Sequence, residues 1–168
     1  MILVDYEIEK LCELGLVSPY DRALVNSTSL DIRIGNTAMI DTVEGFEKYI
    51  GFDKYSQDNP YLLNPNECIL VGTLEYLQLP KNISAELKLK SSRAREGLSH
   101  ALAGWIDSEF CGVLTLELKN YSTKHPVKIY PNLRVGQLIL HQTQEPKKSY
   151  LDGRYAGKNT VMGSLDAV

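Results

Sequence analysis

The chain has 168 residues, 43% of them apolar and 23% charged, with 18 Lys+Arg against 21 Asp+Glu for a net charge of −3. That length suits a single domain, residues 1–168, able to bury a core without staples. The slight acidity excludes the broad basic field that grips a nucleic-acid polymer, and no apolar run reaches bilayer-spanning length.

The opening "MILVDYEIEK" lacks a basic stretch followed by a long apolar one, so it does not read as a secretion signal. Cys12, Cys68 and Cys111 are scattered and odd in number, which suits small hydrophobes in a reducing, cytoplasmic setting. Ile8, Leu11, Cys12 and Leu14 or Leu16 are spaced for one helix ending at Gly15, the only substantial helix expected. Short strands follow. "SLDIRIG" alternates, "ECILVGTLEYLQL" is a longer β-rich run, and "SAELKLK" sets Ala85, Leu87 and Leu89 against Glu86, Lys88 and Lys90. "VLTLELKN" alternates Leu114, Leu116 and Leu118 against Thr115, Glu117 and Lys119, and "VKIY" and "RVGQLILHQ" are separated by a Pro-Asn-Leu turn. Many short strands punctuated by Gly, Pro and Asn predict an all-β sandwich or barrel. Residues 41–65 read as an irregular excursion or an extra hairpin. The tail from Thr143 has no period and is either disordered or an arm that orders against something else.

Two places carry candidate chemistry. The octet "KSSRAREG", Lys90 to Gly97, puts two hydroxyls and three cations directly after a strand. Hydroxyls, backbone N–H groups and cations converging on one point bind phosphate oxygens, though a capped turn with solvated arginines fits the spacing as well. Glu117 stands in the middle of the most regular strand. It either faces solvent or lines a cleft, where burial would raise its pKa and suit it to proton transfer. Asp107 in "GWIDSEFCG" reads by itself as a turn residue. His100, His125 and His141 lack paired spacing, and there is no Cys-x-x-Cys, so no metal site is expected. The His-x-Glu and Pro-Cys-x-x-Cys of zinc nucleobase deaminases do not occur, nor does a glycine-rich phosphate loop.

Taken together, "LKLKSSRAREGLSHALAGWIDSEFCGVLTLELKN" resembles the central signature of the dCTP deaminases, members of the trimeric dUTPase superfamily. "STSLDIRIG", "LLNPNECILVGTLEYLQLPKN", "IYPNLRVGQLIL" and "GRYAGKNTVMGS" resemble further segments of that family, so the likeness runs from about Ser27 to Ser164. It implies a distorted jelly-roll β-barrel with a short N-terminal helix, assembled as a homotrimer with active sites at subunit interfaces. The implied activity is zinc-independent loss of the cytosine 4-amino group from dCTP, giving dUTP and ammonia. Glu117 matches the water-activating base, and Ser91 and Arg95 match the residues that position the water and support that base. Lys90 and Ser92 would hold phosphates, Asp107 the deoxyribose hydroxyl, and Ala103, Trp105 and Ile106 the base. Gln137, Arg154, Tyr155 and Lys158 would meet the nucleotide from a strand and from a C-terminal arm, residues 143–168, closing over the site. Mg²⁺ would ride on the triphosphate.

The chain departs from the family pattern in four places. The stretch from Arg95 to Asp107 is one residue shorter, Leu102 replaces a threonine linked to dTTP feedback, and Lys158 and Thr160 replace a glutamine and a glycine. The alternatives are a bifunctional enzyme taking dCTP to dUMP and pyrophosphate, a plain dUTPase, and a non-catalytic nucleotide-binding trimer. A plain dUTPase has Pro-Arg-Ser-Gly in place of "KSSRAR" and does not need a glutamate at position 117.

Overall fold

The computed structural model describes residues 1–43 and 45–165, leaving aside the side chains of residues 47 and 48. The expected helix is α1, Asp5–Glu13, which buries Ile8 and Cys12. The Val4 amide donates to Glu7 Oε2 at 3.0 Å, satisfying one donor of the first turn, and Gly15 exits with φ +99°. Burial pushes the Cys12 thiol up to about 12, with Glu13 and Glu9 adding to it, so this cysteine behaves as a hydrophobe.

The strands are β1 (Val17–Ser18), β2 (Val25–Asn26), β3 (Ser29–Thr42), β4 (Gly45–Gly51), β5 (Tyr61–Leu63), β6 (Cys68–Gln78) and β7 (Ile83–Leu89). A five-residue helix, α2 (Ser91–Arg95), precedes β8 (Leu98–His100), β9 (Trp105–Ile106), β10 (Cys111–Asn120), β11 (Val127–Ile129) and β12 (Arg134–Gln142). One curled sheet runs β8-β10-β6-β3-β12-β7-β9, with β1 on β6 and both β2 and β4 on β3, while β11 and β5 form a separate pair. This is the all-β barrel-like architecture expected, and residues 41–65 take in the end of β3 and the whole of β4, which pairs back on it.

Strand β3 makes the curl possible. Its first half pairs with β12 (Leu30 opposite Leu138) and its second half with β6 (Ala38 opposite Val71). Where it crosses between them, a Cβ on Gly35 would lie 2.7 Å from the Thr73 carbonyl oxygen, so no larger residue fits. Alternation then sends Leu30, Ile32, Leu138, Leu140, Ala85, Leu87, Leu116 and Leu118 into one core, joined by Leu63, Val127 and Ile129 from the small pair.

A charge is buried at the same crossing. Glu75 is fully buried, accepting from Arg33 Nε at 2.7 Å and the Arg33 amide at 2.8 Å. Removing one partner of such a pair strands the other in low dielectric. Glu75→Ala is expected to cost about 3 kcal/mol in urea unfolding, and Glu75→Gln, which keeps acceptors, distinctly less.

Candidate active site

Opposite Leu114 of β10, strand β6 sets three residues, Thr73 to Glu75, so the ladder slips between Val113 and Thr115. Thr73 Oγ1 takes up the freed Leu114 amide at 3.0 Å. Past this bulge Thr115 and Glu117 both line a cleft of about 480 Å³ on the outer face of the sheet, in keeping with the role of bulges in aiming side chains. The floor is Leu70, Thr115 and Glu117, one end carries Trp105, Ile106, Asp107 and Phe110, and the roof is Tyr150, Tyr155, Lys158 and Met162. Phe46 of the β3–β4 hairpin closes the remaining side.

The roof is the tail. Gly157 N–H donates to the Cys111 carbonyl at 2.7 Å and Val113 N–H to the Lys158 carbonyl at 2.8 Å, giving a parallel bridge between Gly112 and Lys158. Met162 N–H reaches Thr115 Oγ1 at 3.0 Å, and the Tyr49 hydroxyl donates to the Val161 carbonyl at 3.2 Å. Val161 is fully buried with Met39 and Leu70. The segment is therefore an ordered arm laid along β10 of its own chain, and only residues 166–168 fall outside the described ones.

Glu117 is half-buried, and burial pushes its carboxyl above the ordinary value of 4.5, against a smaller lowering from its own backbone amide. It also borders a second hollow of about 310 Å³ lined by Cys68, Ser99, His100 and Lys119. Asp107 Oδ1 accepts the Trp105 indole N–H at 3.1 Å, and Trp105 is 61% exposed. The Phe110 and Tyr150 rings stand 5.9 Å apart. Such a slot suits a flat, partly polar ring, with a carboxylate of raised proton affinity at its floor.

Of the residues singled out from the sequence, the cleft gathers Glu117, Trp105, Ile106, Asp107, Tyr155 and Lys158. The rest lie off it. Lys90 and Ser92 line a separate open groove of about 710 Å³, and Arg95 lines another beside residues 121–125. Ser91 is exposed at the start of α2, Ala103 and Arg154 are exposed on loops, and Gln137 is half-buried on β12 opposite Asp31 and Lys88. Lys90 already has a partner, for its Nζ sits 2.7 Å from both carboxylate oxygens of the buried Asp31. Arg93 pairs with Glu96 at 2.8 Å, which accounts for two octet residues without an expected role. Tyr150, Phe110, Phe46 and Met162 were not legible as site residues. Only Tyr150 left a signal, as the single aromatic in the polar stretch "EPKKSYLDG".

The family model described as dCTP deaminase-like matches residues 2–143. A protein of Thermobifida fusca (strain YX) named "dCTP deaminase, dUMP-forming" is 37% identical over 166 residues, covering 89% of this chain and 82% of that one. A protein of Aquifex aeolicus (strain VF5) with the same name is 34% identical over 175 residues, covering 98% and 94%. In fold, the chain resembles the crystal structure of 2'-deoxycytidine 5'-triphosphate deaminase from Agrobacterium tumefaciens, with a TM-score of 0.69 and 22% identity over 84% of this chain. This chain spans 48%, about half, of that larger one. With most of its length matched by the family model and by relatives above 30% identity, the chain belongs to the dCTP deaminase-like family.

Proposed function

We propose that this protein, as a homotrimer, converts dCTP to dUMP, ammonia and pyrophosphate, consuming two waters. The observation that carries the reading is Glu117, a carboxyl of raised proton affinity on the floor of an aromatic-walled cleft under the arm. Glu117 takes a proton from a water whose oxygen adds to C4 and passes it to ring N3, then moves the new hydroxyl proton to the departing amino group. The exocyclic nitrogen leaves as ammonia and a carbonyl remains. A second water cleaves the α–β phosphate bond. The names of the relatives support this dUMP-forming course over deamination that stops at dUTP.

One chain does not supply the charge this substrate needs. Among the described residues, Lys158 is the cation on the cleft wall, beside the carboxylates Asp107 and Glu117. Arg95 lines a groove with Tyr121, just past the end of β10 and four residues or about 13 Å of extended chain from Glu117, and Ser91 begins the same short helix. In our reading the hydroxyls and guanidinium of α2 therefore enter the cleft of a neighbouring copy, and the hollow beside Glu117 leaves room for them. The arm of the same chain, with Tyr155 and Lys158, excludes bulk water from the ring.

Among the described residues no three His, Cys, Asp or Glu are placed to hold a metal; the Mg²⁺ of our reading is held by phosphate oxygens of the nucleotide. When bound, that ion neutralises charge on the phosphates. No helix among the described residues is long and apolar enough to cross a membrane, and the cytoplasm is the compartment we propose.

Purified protein given dCTP and Mg²⁺ should release ammonia, dUMP and pyrophosphate in equal amounts. Accumulation of dUTP would restrict the activity to deamination. Pyrophosphate from dUTP, with dCTP untouched, would replace the reading with a plain dUTPase.

A further inference from the structure

We propose that Tyr121 is a positioning residue that holds α2 in the orientation the reaction needs. This rests on the reading above, in which Ser91 and Arg95 of α2 reach the reacting ring. Helix α2 is only five residues long and buries no side chain. Neither apolar packing nor helical cooperativity can hold so short an element, so its placement depends on tethers at its ends.

Both ends are tethered. At the N-terminal end, Lys90 Nζ is held by Asp31, whose carboxylate also accepts the Asn26 side-chain amide at 2.9 Å. At the C-terminal end, the Tyr121 hydroxyl donates to the Ala94 carbonyl at 2.5 Å. That carbonyl also accepts from the Gly97 amide at 3.0 Å, so both its lone pairs are used. Tyr121 then closes the loop with its backbone, its own amide donating to the Gly97 carbonyl at 2.9 Å. The approach is tight enough to need glycine. Gly97 has φ +99°, and a Cβ there would come within 3.1 Å of Ser122 Cβ. Tyr121 is 54% exposed, so its ring adds little to the core, and its hydroxyl spans from the end of β10 to the helix that carries Arg95.

Glu117 and Tyr121 lie on one continuous strand and turn. Tyr121 thereby ties α2 to the end of β10, so that the helix is presented to the neighbouring copy's cleft in one fixed orientation. A helix that can tilt spends less time with Ser91 and Arg95 in reacting geometry, and turnover falls even when dCTP still binds.

Tyr121→Phe removes the hydroxyl and keeps the ring. One lost hydrogen bond should lower kcat for dCTP about 5- to 10-fold with little change in KM. Amide exchange in the free protein should accelerate over residues 90–97 and nowhere else, while the melting temperature stays near that of wild type. Unchanged exchange in that segment would overturn the tether. Faster exchange with unchanged kcat would overturn its link to the reaction. A wild-type protein that leaves dCTP intact would overturn the proposed function instead, with the exchange measurement still deciding the tether.

Discussion

Glu117→Gln should abolish ammonia release from dCTP, lowering kcat by about 10³-fold or more, while the protein stays folded. The substitution keeps size and one hydrogen-bonding oxygen but cannot accept the proton of a water adding to C4. It also has a signature in stability. Burial raises the folded-state pKa of Glu117 above its ordinary 4.5, so the folded protein prefers the protonated side chain. Stability from that preference is fully present below 4.5 and is lost as pH rises through the raised folded value. Glutamine mimics the protonated form at every pH. The variant should therefore unfold at higher urea concentration than wild type at neutral pH, with the gap closing below 4.5. The acid limb of the wild-type kcat profile should likewise fall above the range of an ordinary glutamate. Activity retained in Glu117→Gln would remove the carboxylate from the mechanism.

Mixing two inactive variants gives the second large effect. Glu117→Gln and Arg95→Ala should each be inactive as homotrimers. If every site takes Glu117 from one copy and Arg95 from another, a trimer scrambled from equal parts regains complete sites. Random assembly leaves about one quarter of the sites with both wild-type residues, so activity should return to about that fraction of wild type after unfolding and refolding together. A site built within one chain would show no recovery, because each chain would carry a lesion. The geometry motivates the expectation. Arg95 lines a groove at the Tyr121 end of β10 and is absent from the wall of the Glu117 cleft.

These two experiments separate chemistry from assembly. Loss in Glu117→Gln with recovery on mixing fits an interfacial deaminase. Loss in both variants without recovery fits a site built within one chain, and the proposed placement of Arg95 across the subunit boundary would then fail.

Much of the framework was legible in the chain itself. Period-2 alternation in "SAELKLK" and "VLTLELKN" needs only the pleat of a strand to sort apolar from polar residues, and the structure keeps Leu116 and Leu118 inside and Glu117 outside. Helix α1 followed from local spacing and ended at a glycine able to take a positive φ. Residue types around Glu117 and in "KSSRAREG" placed the family resemblance, because those motifs are local.

What the sequence left undecided depends on contacts between distant segments. Glu117 could have faced solvent or a cleft, and alternation cannot choose between them. The cleft exists because the bulge in β6 re-aims β10 and because an arm more than thirty residues on binds along it, burying Val161 beside Leu70. The tail has no period because it is held by one short bridge at Lys158 and by scattered hydrogen bonds to Thr115 and Tyr49, none of which imposes a repeat. Lys90 reads as a phosphate ligand from its neighbours, yet the fold brings Asp31 under it from fifty-nine residues away. Local physics determined which residues form strands and which octet carries the polar groups. Only the curled sheet decided which of those polar groups meet a partner within the chain and which remain free for a ligand or a second copy.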